Sequence, residues 1–411
     1  MNIFALIILI TLIIGYLLDM IADHLNIKHL KTDLPPEFMG VYSDEKYRKS
    51  QEYLKENTRF GTITSTFSLI LILVFWFAGG FNWLDILLRP IIEDDILRGI
   101  AYLGILIIGN SLLFMPFTIY STFVIEEKYG FNKTSAKTFV LDIIKSLLLS
   151  VVLGFPLLYG ILYILQYFGG SAWLIGWGAV VVFSLVVQFI APRWIMPLFN
   201  KFKPLENGEL RDAIFAYAEN VGFSLKNIFV IDGSKRSSKS NAFFTGFGKN
   251  KRIALFDTLV ENHTTQELVA ILAHEIGHYK KKHVLQGMAI SIIHTGVIFF
   301  LLSLFLTEQG LYDAFLMDNM SIYTGLIFFG MLYSPVEMLL SLLMNKLSRI
   351  NEYQADKFAA TTIDDKNDMI NALKKLSEHN LSNLTPHPFY VAVNYSHPPV
   401  VARIRRIDNK V

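Results

Sequence analysis

The run His274-Glu275-Ile276-Gly277-His278 carries the plainest chemistry in this sequence. On a helix, residues four apart lie one turn apart on the same face, so the two imidazoles can converge on one metal ion. Glu275 is offset by about 100°, which puts it beside such an ion instead of between the imidazoles. From there it can take a proton from water that the metal activates. A bare match to this spacing arises by chance in about one chain in a hundred, so the surroundings decide its meaning. Here no proline interrupts the segment, and the two residues between Glu275 and His278 are uncharged.

A catalytic zinc ion takes three protein ligands and keeps one position open, so a third ligand must come from elsewhere. Residues 348–360, SRINEYQADKFAA, offer Glu352 and Asp356 four apart on a predicted helix. One carboxylate can bind the metal while the other orients a metal-bound histidine through its far nitrogen. We assign Glu352 to the metal and Asp356 to the histidine; the competing reading of Glu352 is a solvated helix carboxylate. His263, His283, His294 and His379 are rival third ligands without a paired acid. Of these, His283 follows Lys280-Lys281-Lys282 and reads as a marker of the membrane interface. The chain has no cysteine, which excludes disulfides, thiolate metal sites and cysteine nucleophiles.

These residues need a scaffold, and much of it must lie in a bilayer. Of 411 residues, 53% are hydrophobic and only 18% charged. A hydrocarbon core of about 30 Å takes roughly 20 apolar residues as a helix. Residues 61–83, 99–125 and 146–192 carry no charge, the last split in two by Gly169-Gly170-Ser171. Residues 284–307 carry only His294, and 319–345 only Glu337, an acid near Pro335 that should face water or pair with a basic side chain. With the opening run 2–18, read as a retained helix because it lacks a basic n-region and a small-residue cleavage site, these make about seven spans. The net charge of +2 says little, but its distribution does: odd-numbered loops are rich in Lys and Arg, and even-numbered ones nearly bare. That bias places the large polar segments in the cytoplasm.

Two polar regions remain, 193–283 and 346–411, on either side of a transmembrane hairpin. In the first, KNIFVID (226–232), NAFFTG (241–246) and RIALFD (252–257) are short β-type runs separated by turn residues, and predict a small antiparallel sheet. TTQELVAILAHEIGHY (264–279) sets Leu268, Ile271, Leu272 and Ile276 on one face, with Thr264 or Thr265 as N-cap followed by Glu267.

Taken together, the motifs resemble the type I CAAX prenyl protease family, seven-helix zinc metallopeptidases of the gluzincin kind. HEIGH and EYQAD are joined by PFTIYSTFVIEEKYGFNK (116–133), PRWIMPLFNKFKPLENGEL (192–210), NAFFTG and SHPP with the following Arg403. The resemblance implies one zinc ion per chain on His274, His278 and Glu352, with Glu275 as base. It also implies that Asn241, His397 and Arg403 help hold the substrate or the oxyanion. The strand carrying Asn241, Ala242, Phe243 and Phe244 then lies along the substrate backbone.

The expected architecture is a mainly α membrane protein whose seven helices enclose a chamber, with a cytoplasmic zincin-like catalytic domain containing a small β-sheet. Residues 1–192 supply helices one to five, 193–283 the HEIGH segment, 284–345 helices six and seven, and 346–411 the segment with EYQAD and SHPP. The expected reaction is removal of the last three residues from prenylated CAAX proteins. A general membrane-protein quality-control metalloprotease without a prenyl requirement is the alternative. The partners are a prenylated or membrane-associated peptide and the lipid bilayer, not nucleic acid, and the chain acts as a monomer. Brief external loops and the ending DNKV suggest a bacterial plasma membrane, with the endoplasmic reticulum as the eukaryotic counterpart.

Overall fold

The computed structural model describes residues 1–245 and 252–410, the side chains of residues 243–245 and 410 excepted. Among the described residues, seven helices are long and apolar enough to cross a membrane. They contain α1 (Ile3–Lys28), α2 (Asp44–Phe77), α4 (Asp95–Tyr120), α5 (Ala136–Tyr167), α6 (Ala172–Ile190), α11 (His283–Phe305) and α13 (Ile322–Thr362). Between α2 and α4 lies α3 (Gly80–Leu88), and after α6 come α7 (Met196–Phe199) and α8 (Glu209–Asn220). Then follow α9 (Asp257–Asn262), α10 (Thr265–Lys280) and α12 (Gln309–Asp313), and last α14 (Lys366–His379), α15 (Pro388–Asn394) and α16 (Val400–Lys410).

The spans form a ring. Along the chain α4 packs on α5, α5 on α6, α6 on α11 and α11 on α13; α13 then packs on α1 and α1 on α2. The ring closes where α2 meets the π-helical turn Ser121–Glu126 that continues α4, and where Phe67 meets Phe114. Helix α13 also packs on α4 and α5, so it reaches across part of the ring.

Each end of the ring is plugged by its own core. At one end the second and sixth loops interlock: Trp76 donates to the carbonyl of Ala314 at 2.8 Å, and Phe315 stacks on Phe328 at 3.9 Å. At the other end a larger core gathers α8, α10, α14 and α16, with Ile214, Leu268, Leu272, Ile276, Leu373 and Ile404 buried. The odd-numbered loops meet there: Lys46 pairs with Glu378 at 2.8 Å, Arg405 pairs with Glu37 at 2.5 Å, and the third loop pairs Asn132 with Ser237. The basic loops and the HEIGH helix therefore share one side.

The sheet differs from the expected antiparallel arrangement. Its strands are β1 (Phe202–Pro204), β2 (Asn227–Ile231), β3 (Ala242–Thr245) and β4 (Arg252–Phe256), in the order β1-β2-β4-β3. β1 pairs antiparallel with β2 and β3 with β4, but β2 and β4 run parallel. The cause is burial. Ile228 and Ile231 of β2, and Ile253, Ala254 and Leu255 of β4, are buried, so the two apolar strands take the centre and leave β3 at an edge. The intervening segment 246–251, including the rest of NAFFTG, lies outside the described residues.

Candidate metal centre

Helix α10 is started by a capping box. Thr264 Oγ1 accepts from the Glu267 amide at 3.2 Å, and the Glu267 carboxylate accepts from the Thr264 amide at 2.9 Å. Leu268, Ile271, Leu272 and Ile276 are buried, which orients the helix and presents His274 and His278 to α13. The approach of the two helices is close. A Cβ at Gly277 would lie 3.2 Å from both the Cα and the carbonyl oxygen of Ala355, so glycine is what lets α13 come this near.

Helix α13 crosses the membrane and continues without a break into EYQAD, carrying Glu352 to the two histidines. The Nε2 atoms of His274 and His278 are 3.1 Å apart. Glu352 Oε2 lies 3.4 Å from His274 Nε2, and Oε1 lies 3.2 Å from His278 Nε2. A tetrahedral ion with bonds of about 2.0–2.1 Å spaces its ligands by roughly 3.3–3.4 Å; the separations here, 3.1, 3.2 and 3.4 Å with each carboxylate oxygen facing one imidazole, lie close to that. Glu352 is 4% exposed, and its Oε2 has no hydrogen-bond partner among the described residues. Arg403 Nη1 stands 3.6 Å from this oxygen, beyond hydrogen-bond distance, which leaves it free to face a cation. His274, His278 and Glu352 can therefore hold a metal ion.

Around this donor set, Asp356 Oδ1 lies 2.9 Å from His274 Nδ1. Arg403, from α16, donates to both oxygens of Asp356 at 2.8 and 2.6 Å and stands 3.6 Å from Glu352. The guanidinium expected to meet the substrate is thus largely committed to Asp356. Burial alone would push the His274 imidazole down, but Asp356 and Glu352 outweigh it and raise the metal-free histidine to about 9. Burial raises the Glu275 carboxyl, opposed by His274 and His278, which suits a group that must take up and release a proton.

A cavity of about 540 Å³ opens onto the centre, and Asn241, Ala242, Glu275, His397 and Arg403 line it beside the three donors. His397 is exposed, with Nε2 3.3 Å from Glu352 Oε1. Asn241 and Ala242, at the start of edge strand β3, line the cavity. The side chains of Phe243 and Phe244 lie outside the described residues. The rival ligands go elsewhere. His263 Nδ1 lies 3.1 Å from the Leu259 carbonyl, and His379 sits 3.9 Å from Glu378. His294 lies 3.2 Å from Glu337, so that acid pairs with a histidine of the neighbouring span and not with Arg or Lys. His283 begins α11 as an interface residue would, yet its ring is 8% exposed and packs against His278. Gln286, Ser348 and Asn351 also line the cavity. Isolated polar residues of this kind carry no distinctive spacing in the sequence.

Residues 23–201 match the family described as CAAX prenyl protease N-terminal, five membrane helices, and residues 204–411 match Peptidase family M48. "Probable CAAX prenyl protease 1" of Schizosaccharomyces pombe is 39% identical, covering 96% of this chain and 86% of that relative. The chain belongs to Peptidase family M48.

This M48 metalloprotease is also 37% identical to "CAAX prenyl protease 1" of Saccharomyces cerevisiae, over 92% of this chain and 89% of that one. Among solved structures it resembles the crystal structure of S. mikatae Ste24p, at 34% identity and a TM-score of 0.93, covering 99% of this chain and 100% of that one. It is a multi-pass membrane protein. The bacterial plasma membrane expected from the short loops finds no support in these relatives, which are eukaryotic.

Proposed function

We propose that this M48 peptidase uses one zinc ion to remove the C-terminal tripeptide from prenylated CAAX proteins, with its active site on the cytoplasmic face of the membrane and the chain acting as a monomer. What carries the reading is the spacing of His274, His278 and Glu352, which suits a tetrahedral cation bound on three sides and open on the fourth. The names of its relatives support the substrate class, and the basic odd-numbered loops gathered around the centre support the orientation.

Zinc at this site supplies a Lewis acid and brings the pKa of water down from 15.7 to about 7. Glu275 takes the proton of the attacking water and later delivers it to the leaving amine. The peptide lies along the open edge of β3, bonded through its backbone, so side chains of different shape are tolerated. His397 and Asn241 face the same cavity and donate to the oxygen that gains charge, a contribution of about 2.7–4 kcal/mol per donor. Asp356 keeps the proton of His274 on Nδ1, and Arg403 holds Asp356 in place.

The test is cleavage of a farnesylated CAAX peptide and of its unprenylated twin by the full-length protein, with metal analysis of the same preparation. Zinc near one equivalent and preference for the farnesylated peptide are expected. Equal cleavage of the two would favour the quality-control reading, and zinc-free protein that still cleaves would overturn the mechanism.

A further inference from the structure

His274 and His278 differ in what stands behind them. The far nitrogen of His274 meets the carboxylate of Asp356, an arrangement whose acid lies in the EYQAD pattern. Behind His278 no acid stands among the described residues. Its Nδ1 lies 3.0 Å from Nδ1 of His283, and His283 Nε2 lies 3.2 Å from Oε1 of Gln354.

The direction of this chain of hydrogen bonds follows from its last member. The Gln354 carbonyl oxygen can only accept, so His283 must carry its proton on Nε2. His283 Nδ1 is then an acceptor, and His278 Nδ1 must be the donor. A neutral His278 with its proton on Nδ1 has its lone pair on Nε2, the atom 3.1 Å from His274 Nε2 and 3.2 Å from Glu352. Two imidazole lone pairs and a carboxylate then face one another across a cation-sized gap.

We propose that His283 and Gln354 are positioning residues for His278, holding it in the tautomer and orientation that bind metal. The proposal rests on the metal-site reading above.

The backbone supports it independently. His283 reaches His278 only because the chain reverses between α10 and α11, and the turn is made at Lys282 with φ of 62°. A lysine in the left-handed region costs roughly 1–2 kcal/mol, which glycine at that position would avoid. Such strain persists where surrounding contacts enforce it, and the buried ring of His283 supplies one. Gln354 comes from α13, two residues beyond the ligand Glu352, so the relay also joins the first residue of one span to the helix of the next.

The experiment measures zinc affinity by chelator competition on full-length wild type, His283→Leu, His283→Asn, Gln354→Leu and Gln354→Glu. It is joined to the visible spectrum of the cobalt-substituted proteins. His283→Leu should weaken zinc binding about ten- to a hundredfold and shift the cobalt bands. His283→Asn, whose carbonyl oxygen replaces the acceptor, should recover most of the loss. Gln354→Leu should act in the same direction by several-fold, and Gln354→Glu should restore it; this pair carries the test if His283→Leu does not fold. Unchanged zinc affinity in both leucine variants, or His283→Asn as weak as His283→Leu, would overturn the relay. Wild type that binds no zinc would instead overturn the metal-site reading, and the relay with it.

Discussion

Helix α13 brings a glutamate to a histidine twice, and the two meetings have different outcomes. At its protruding end Glu352 faces His274 and His278; roughly 22 Å back along the same helix, Glu337 faces His294 at 3.2 Å. The first carboxylate is 5% exposed at its side chain and the second 55%. The deeper one meets two converging imidazoles, one of them oriented by Asp356. The other has one imidazole, itself 3.2 Å from the Tyr333 hydroxyl, and no further ligand among the described residues. A histidine beside a glutamate is thus a hydrogen bond by default. It becomes a chelate when a second imidazole converges, water is excluded, and the far nitrogens are tied down.

The contrast is broken most directly by deleting each glutamate. Glu352→Ala should lose zinc and all peptidase activity, while Glu337→Ala keeps its metal. Equal zinc content in purified preparations of the two would refute the assignment. Glu275→Gln should retain zinc and lower kcat by about 10²–10⁴, since it removes the proton acceptor and no ligand. Substantial hydrolysis by that variant would exclude Glu275 from the proton transfers.

Acidity sharpens the comparison further. Metal-free His274 keeps its proton below about 9, and the metal requires a neutral imidazole. Loading must expel that proton, so zinc affinity should rise about tenfold per pH unit between roughly pH 6 and pH 9, then level off. A flat profile in chelator titrations would contradict the Asp356–His274 geometry. Gly277→Ala, which forces a methyl against the Ala355 backbone, should weaken zinc several-fold with α10 still helical, read by the same competition and by circular dichroism. The smallest effect belongs to Glu337→Ala on folding. Loss of one part-exposed hydrogen bond costs about 1 kcal/mol, and a drop of several kcal/mol in denaturant titration would show that this pair carries more of the fold than one such bond.

Much of this was readable beforehand, for definite reasons. The spacing of His274 and His278 on one helical face, the four-residue step from Glu352 to Asp356, and the charge-free windows each leave a periodic signal. The capping residue Thr264 was visible with its Glu267. Other features left no such signal. His283 stands five residues from His278, a spacing with no meaning on a helix and a contact only because Lys282 reverses the chain. The parallel pairing of β2 with β4 depends on which strands are buried deepest. The acceptor role of Gln354 exists only in three dimensions. Nor does any local pattern announce that the last span and the EYQAD segment are one uninterrupted helix.

That continuity sets a tolerance. From Ile322 to Glu352 the rod runs about 45 Å, so a tilt of only 5° pivoting at its far end would swing the carboxylate by roughly 4 Å. Metal bonds accept errors nearer 0.2 Å. The wall segment formed by α13 must therefore stay still during turnover, and any parting of the ring to admit a lipid-bearing peptide falls to seams between spans that carry no ligand.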